Sequence, residues 1–387
     1  MRFLCVNKSA RANIFGQEYE LKPLDPRLQN IEDILVTDNF SASELFKRHP
    51  DVLLNLSFDR GRCKGFPRMV NTVSDIDRPG NVLILRNGGI GDHVLFLPAL
   101  RIFRRCFPRG SKIWLSTQKE KHPIFTDNRD IDRLLSLPLR LDILLQVDYL
   151  IDFSERDDLN KFTRLHMTDY FLDFLSIDYT RIKDKAPRIS WDPSRSPGIS
   201  KTFEQAEDPS RPRVLLNWTA SNALREFPPE KLLFLVETFK EVGFVVAQQK
   251  ALEARTRELL RPYGDKVLDL TAMMRSLDDY LSVIALCDAV VTTDTAAYHL
   301  AEALGKPSLV LFGPTRDELW IRYYKRVKPL RAAYSGSTCR SPCGIVKSLE
   351  GCPESRLKGT SFSPCLMAIP RERIRLAFTE LLQDTGS

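Results

Sequence analysis

Three short stretches of the chain gather residue types suited to chemistry on an anionic ligand. The first is Asn87-Gly88-Gly89-Ile90-Gly91-Asp92, directly after the apolar run Val82-Leu83-Ile84-Leu85. Glycines let a backbone turn tightly and approach a ligand at the carboxyl end of a strand. A carboxylate in such a loop can take the proton of a hydroxyl nucleophile, or it can simply cap the next helix. The second stretch is Asn217-Trp218-Thr219-Ala220-Ser221, followed by Arg225-Glu226-Phe227-Pro228-Pro229. Its amides, Thr219 and Ser221 hydroxyls and Arg225 guanidinium are what a diphosphate needs, although a polar loop with Pro229 at the first helical position explains it as well. The third runs from Thr292 to Pro307, with Asp294, Thr295, Ala296 and His299 at the start of a helix. Free N–H groups and about half a positive charge at such an end favour phosphate. Thr295 and His299, four apart, share a helix face. Taken singly, Asp294 reads as an N-cap and His299 as a packed, hydrogen-bonded ring.

A fourth cluster is chemically different. Cys339, Cys343, Cys352 and Cys365, interleaved with Pro342, Pro353 and Pro364, hold four of the chain's eight cysteines. Four thiolates can bind Zn²⁺ or iron tetrahedrally. The spacing is not that of paired C-x2-C knuckles, so a reduced, packed thiol cluster stays open. Cys5, Cys63, Cys106 and Cys287 are scattered.

The elements needed to position these residues are those of an α/β protein. Strand, glycine turn and helix open a doubly wound domain at Asn81. The helix carries Leu97, Leu100, Phe103 and Phe107 on one face and Arg101, Arg104, Arg105 and Arg109 on another. Lys112 to Ser116 and Asp148 to Phe153 read as further strands. From Arg213 a second alternation begins. Val214 to Leu216, Phe244 to Ala247, Ala289 to Thr292 and Ser308 to Phe312 read as strands. Pro229 to Val242, Ala251 to Leu260, Leu277 to Leu286, Thr295 to Leu304 and Arg371 to Gln383 read as helices. Pro187, Pro193, Pro197, Pro209 and Pro212 mark a break between the two. The expected domains are an accessory region at 1–80, a Rossmann-like domain at 81–195, a linker at 196–212, and a second Rossmann-like domain at 213–387 that contains the cysteine-rich loop 339–365. Two such domains facing a cleft put the ligand site there.

Composition narrows the function. Apolar residues make up 43% of the 387 and the net charge is +7, a balance that favours anionic partners. No zinc-finger spacing, ribonucleoprotein motif or long basic block supports nucleic acid. No apolar run approaches the roughly 20 residues of a membrane span, and Asn7, Lys8 and Ser9 break any leader-like start, so a cytoplasmic protein is expected. A dinucleotide-binding oxidoreductase is a competing reading: Gly89-x-Gly91 fits half its fingerprint, but Val94 stands where the third glycine belongs. A degenerate, non-catalytic nucleotide-sugar-binding protein is another.

In order and placement, the stretches Val82 to Pro108, Val214 to Pro229 and Asp288 to Pro314 resemble glycosyltransferase family 9, the ADP-heptose:lipopolysaccharide heptosyltransferases. The similarity covers roughly residues 81–380. It implies a GT-B fold, two Rossmann-like domains with the donor nucleotide on the C-terminal one and the acceptor toward the N-terminal one. It also implies inverting transfer without a catalytic metal or other cofactor. By position it makes Asp92 the general base and puts Gly88, Gly89 and Gly91 near the donor diphosphate. Thr219 and Ser221 fall in the phosphate loop. Asp294, Thr295, Ala296 and His299 match the donor-binding helix start, and Glu253 matches a ribose-binding acid. Two positions depart from the pattern. Arg225 stands in, displaced, for a lysine that precedes a Trp-Pro pair, and Ala296 occupies a usual glycine. The implied partners are a nucleotide-heptose, chiefly ADP-heptose, and a lipopolysaccharide-core or related glycan acceptor. The arginine-bearing helix face could meet phosphorylated lipid at the inner membrane. The cysteine loop and the N-terminal addition resemble the branch that modifies autotransporter adhesins, which implies a protein acceptor and structural iron or Zn²⁺ on Cys339, Cys343, Cys352 and Cys365.

Overall fold

A computed structural model describes residues 1–6, 10–14, 17–22, 34–50, 53–56, 65–153, 164–206, 210–331, 333–345, 348 and 350–385. Cys63, Pro209, Asn7, Lys8 and Ser9 lie outside the described residues. The chain divides into two compact units, Met1–Lys185 and Ala186–Ser387.

The first unit is built on a five-stranded parallel sheet in the order Arg68–Met69, Tyr149–Asp152, Asn81–Leu85, Lys112–Gln118, Arg133–Leu137. Asn81–Leu85 is central, and Val82, Leu83, Ile84 and Leu85 are all buried. A strand covered on both faces needs an unbroken apolar run rather than an alternating one. Helix Leu97–Cys106 buries Leu97, Leu100 and Phe103, and Phe103 stacks on Phe153 at 5.9 Å between ring centroids. Its basic face is not wholly available. Arg104 donates to the carbonyls of Ser111 and Asp130 and pairs with Asp132, and Arg101 donates to the Asp184 carbonyl. Arg105 and Arg109 are exposed.

The N-terminal region is not a separate module. Its strands Arg2–Val6, Leu35–Thr37 and Leu53–Leu56 form an antiparallel sheet whose edge strand, Leu139–Arg140, comes from between Arg133–Leu137 and Tyr149–Asp152 of the parallel sheet. Met1, Phe3, Ile34 and Val36 share one core with Leu83, Leu85, Leu137 and Leu150. The hairpin Ala10–Ile14 and Gln17–Leu21 is tied down by Tyr19, whose hydroxyl donates to the Pro138 carbonyl at 2.7 Å.

The second unit holds a six-stranded parallel sheet in the order Val267–Asp269, Gly243–Val246, Arg213–Asn217, Ala289–Thr293, Ser308–Phe312, Val327–Arg331. Helix Arg371–Thr385 closes one face, with Phe378 against Phe239 at 4.8 Å. The expected linker at 196–212 is corrected here. Pro197–Gln205 is a helix with Ile199 and Phe203 buried, and Ser196 Oγ donates to Asp279 on helix Leu277–Leu286 at 3.0 Å. Pro197 reads as a breaker, but it sits at the first helical position, where a missing N–H costs nothing.

Candidate active site

The first unit contributes the glycine loop. Gly88 has φ +145°, and a Cβ there would lie 2.8 Å from Asp92 Oδ2 and 3.1 Å from Arg86 Nη2, so the loop closes only with glycine. Gly89 caps the short helix Ile90–Val94, and Asp92 reaches back to accept the Gly89 N–H at 3.0 Å. Asp92 keeps 26% of its side chain exposed and stands 3.9 Å from Arg86 Nη2. Asn87 ties the loop to the N-terminal region, donating to Ser41 Oγ at 3.2 Å.

His93 is fully buried, with Nδ1 2.8 Å from the Gly89 carbonyl and Nε2 2.7 Å from Thr117 Oγ1. A carbonyl only accepts, so Nδ1–H donates to it and Nε2 accepts the Thr117 hydroxyl. Burial first, and the Arg86 charge second, push this imidazole down to about 3. Its stability contribution is therefore complete above the unfolded-state value near 6.5 and is lost as pH falls toward 3. In that window the unfolded chain binds the extra proton, a slope of about 1.4 kcal/mol per pH unit. Thermal melts between pH 5 and pH 7.5 should show this acid loss in the wild type and a flatter dependence in His93→Gln. Equal slopes would contradict the assignment.

In the second unit the fold brings the two C-terminal motifs together. Arg213–Asn217 and Ala289–Thr293 are adjacent parallel strands, so their loops emerge side by side. Asn217 Nδ2 donates to Thr292 Oγ1 at 3.0 Å and lies 3.4 Å from Thr295 Oγ1. Thr295 is the N-cap of helix Ala296–Ala303 and accepts the Ala297 N–H at 3.1 Å. Arg225 donates to the Asp294 carbonyl at 3.0 Å and to Ser221 Oγ at 2.8 Å, and its own carbonyl accepts the Thr293 hydroxyl at 2.5 Å. The Asp294 carboxylate is 4% exposed and accepts from Thr315 at 2.5 Å and Tyr298 at 3.2 Å, with Arg225 Nη1 at 3.5 Å. Asp294 is thus an organiser of the loop, and the residues left half-exposed at the helix start are Thr295 and Ala296.

Other expected positions fall differently. His299 lies against Tyr298 at 3.9 Å between ring centroids and hydrogen-bonds with Tyr324 at 2.5 Å. Burial raises the Tyr324 phenol well above its ordinary range, keeping it neutral. Thr219 donates to Gln248, whose buried Nε2 lacks a hydrogen-bond partner. Trp218 and Thr219 share a small pocket with Leu252, Arg255 and Thr256, which sets the start of helix Glu253–Leu260 beside this loop. Glu253 itself pairs with Arg257. The sequence reading assigns no role to Arg86, Gln248, Thr315 or Tyr324. Thr315 carried a signal, directly after Gly313-Pro314, and so did Gln248, a polar residue just past a strand end.

Cys339, Cys343, Cys352 and Cys365 line one cavity of about 330 Å³ together with Leu224, Pro314 and Tyr334. Burial pushes the Cys365 thiol up to about 12, with smaller contributions from the other three. Gly313 makes room for this packing, since a Cβ there would lie 2.6 Å from Leu366 and 3.0 Å from Cys365 Sγ. Glu354 pins the adjoining turn by accepting from the Ser337 and Thr338 amides at 3.2 and 2.9 Å. Those bonds, led by the Thr338 hydroxyl, hold its carboxyl down to about 2. Among the described residues, no group of three or more His, Cys, Asp or Glu side chains is set to hold a metal ion, and no helix is long and apolar enough to cross a membrane.

Known structures share this fold. The chain is similar to a glycosyl transferase family 9 protein from Veillonella parvula DSM 2008 at 13% identity, covering 79% of this chain and 97% of the other with a TM-score of 0.59. It is similar to E. coli ADP-heptose lps heptosyltransferase II at 14% identity, 79% and 100% coverage and a TM-score of 0.60. It is also similar to TibC, an iron-containing dodecameric glycosyltransferase from enterotoxigenic E. coli H10407, at 9% identity, 86% and 79% coverage and a TM-score of 0.53. No curated protein sequence matches the chain. Two doubly wound α/β units of this kind are the GT-B fold of glycosyltransferases. Residues 181–347 match the family model "Glycosyltransferase family 9 (heptosyltransferase)". Residues 181–347 are thus a glycosyltransferase family 9 region, set in a chain that shares the fold of these structures.

Proposed function

We propose that the chain transfers heptose from a nucleotide diphosphate-heptose, chiefly ADP-heptose, to a lipopolysaccharide-core or related glycan hydroxyl, with inversion and without a catalytic metal. The observation that carries this reading is the convergence of Arg225, Ser221, Asn217 and Thr295 around the start of helix Ala296–Ala303, within the region matched by the family model. A helix N-terminus, hydroxyls and a guanidinium make a diphosphate site. In a single displacement the acceptor oxygen bonds to the anomeric carbon as the bond to the diphosphate breaks. The acceptor proton passes to Asp92, and the charge gathering on the leaving diphosphate is met by Arg225 and the helix end. Nucleotide titration of the protein, with and without Arg225, tests the donor site.

The second reading makes the acceptor a protein hydroxyl. It is favoured by the likeness to TibC, which extends over 86% of the chain, and by the shared cavity of the four cysteines. On this reading Cys339, Cys343, Cys352 and Cys365, which share a cavity but are not set around a common metal position, would have to close in to hold iron or Zn²⁺ as thiolates, a structural role since all four ligands are protein. Elemental analysis of the purified protein should find about one metal per chain, lost in Cys352→Ser. A metal-free, fully active protein would remove that part. Competition between a glycolipid and a protein acceptor decides between the two. Either acceptor is met in the cytoplasm or at the inner membrane face, where exposed Arg105 on helix Leu97–Cys106 and exposed Arg109 just past its end could contact phosphate.

A further inference from the structure

The cysteine-rich loop 339–365 is bonded to both of the loops that carry Arg225 and Asp294. Ser363 precedes the short helix Pro364–Met367, in the position where a serine oxygen ordinarily accepts an amide of its own helix. Its hydroxyl makes no such bond. The side chain is buried and donates instead to the Leu224 carbonyl at 2.8 Å, one residue before Arg225. Asn222 ties the same turn down a second time. Its Oδ1 accepts the Leu224 N–H at 3.1 Å, and its Nδ2 donates to the Ser348 carbonyl at 3.1 Å. The loop after strand Ser308–Phe312 is held from the same segment. Ser341 Oγ donates to the Gly313 carbonyl at 2.6 Å, and the Gly344 N–H donates to the Pro314 carbonyl at 2.8 Å. Gly313 itself approaches so closely that a Cβ there would meet Leu366 at 2.6 Å and the Cys365 sulfur at 3.0 Å. Thr315 then donates to the Asp294 carboxylate at 2.5 Å, and the Asp294 carbonyl accepts from Arg225 Nη1 at 3.0 Å. The contacts close a ring, from Arg225 to Ser363 and Cys365, on through Gly313 and Thr315 to Asp294, and back to Arg225.

We propose that the cysteine-rich loop positions Arg225 for the donor diphosphate, with Ser363 as the principal positioning residue. The proposal rests on the reading of Arg225 and the start of helix Ala296–Ala303 as the diphosphate site. A guanidinium recognises phosphate oxygens through a planar fork, so its orientation decides what it contributes. The Asp294 carbonyl and Ser221 Oγ fix the tip of that fork. The backbone from which it springs is the three-residue turn Ala223–Arg225, and a single turn of this tight kind has little hydrogen bonding of its own to hold it. Ser363 and Asn222 supply the hold from the cysteine-rich loop. Removing the Ser363 hydroxyl takes a donor from the buried Leu224 residue's carbonyl. A buried carbonyl that loses its donor costs free energy, which the turn relieves by shifting, and the guanidinium shifts with it. Because Ser363 is buried, it acts through Arg225 and not on the ligand.

The test is calorimetric titration with ADP, beside donor KM and kcat, for the wild type, Ser363→Ala, Ser355→Ala and Arg225→Ala. Ser355 Oγ also donates to a carbonyl, that of Phe362 at 3.0 Å, but within the cysteine-rich loop, so Ser355→Ala measures the effect of loosening that loop alone. Ser363→Ala should weaken ADP binding about fivefold or more, as for one lost hydrogen bond. It should raise the donor KM in proportion and leave kcat at saturating donor within about twofold, since the interaction is one of binding. Ser355→Ala should leave ADP affinity at the wild-type value. Unchanged ADP affinity in a folded Ser363→Ala, while Arg225→Ala loses it, overturns the proposal and leaves the donor site standing. Equal losses in Ser363→Ala and Ser355→Ala also overturn it, because the effect is then one of loop packing. A wild type that binds no ADP overturns the donor-site reading and the proposal with it. Should Ser363→Ala fail to fold, Asn222→Ser gives the answer. A serine there still caps the Leu224 N–H but is too short to hold the Ser348 carbonyl. Weakened ADP binding then supports the hold of the cysteine-rich loop on the Arg225 turn, and unchanged binding overturns it.

Discussion

Replacing Asp92 by asparagine should lower kcat by roughly a hundred- to ten-thousand-fold with little change in donor affinity. The substitution is nearly isosteric. An asparagine oxygen can still accept the Gly89 N–H that Asp92 accepts at 3.0 Å, so the helix Ile90–Val94 keeps its cap. What disappears is the basic oxygen that takes the acceptor proton, together with the anion facing the buried Arg86. A modest fall in melting temperature should accompany the loss of activity, because the guanidinium is left buried with one compensating charge fewer. Steady-state rates of nucleotide release beside a melting curve separate the two effects. A folded Asp92→Asn variant with wild-type kcat would make Asp92 a helix cap and nothing more.

The second large effect is expected at Asp294, through stability and donor binding together. Its buried carboxylate gathers Thr315, Tyr298 and Arg225. Asp294→Ala leaves two hydroxyls and a guanidinium without that acceptor. Breaking a buried charged pair costs 3–5 kcal/mol. Arg225 is 15% exposed, so about 3 kcal/mol is the appropriate figure. In a unit of this size that corresponds to a fall in melting temperature of about 10 °C. Since Arg225 also bonds to the Asp294 carbonyl and Ser221, the loop should loosen and nucleotide affinity fall at least about tenfold, or 1.4 kcal/mol. Asp294→Asn keeps the acceptor oxygen and should lose less of both. An Asp294→Ala protein with unchanged melting and unchanged nucleotide affinity would contradict this description of the site.

Much of the second unit is legible in the sequence because its central strands are fully buried. Val214 to Leu216 and Ala289 to Thr292 are apolar or hydroxyl runs of strand length, and Leu277–Leu286 and Ser308–Phe312 end where the pattern ends. The edges are not legible. Val327–Arg331 is a half-exposed strand with a proline at its centre, which only an edge tolerates. The sheet joining residues 1–80 to the first unit depends on Leu139–Arg140 pairing with Leu35–Thr37, a contact over a hundred residues away in sequence that no local pattern encodes. The site divides in the same way. The glycine loop and the Thr295 helix start carry local signals, whereas the meeting of Arg225 with Asp294 across 69 residues follows from adjacent parallel strands. Arg86 was hidden for a different reason. A charged residue at a strand end ordinarily reads as surface, and only the packing of Phe171 and Met167 shows it to be buried.

The most direct test of the donor site is calorimetric titration of the protein with ADP, UDP and NAD, in the wild type and in Arg225→Ala. The account predicts that ADP binds and that the substitution weakens it about tenfold or more, as for loss of a charge-assisted contact to a diphosphate. Selective binding of UDP would keep the transferase and change its donor. Binding of NAD alone, unaffected by Arg225→Ala, would contradict the central claim.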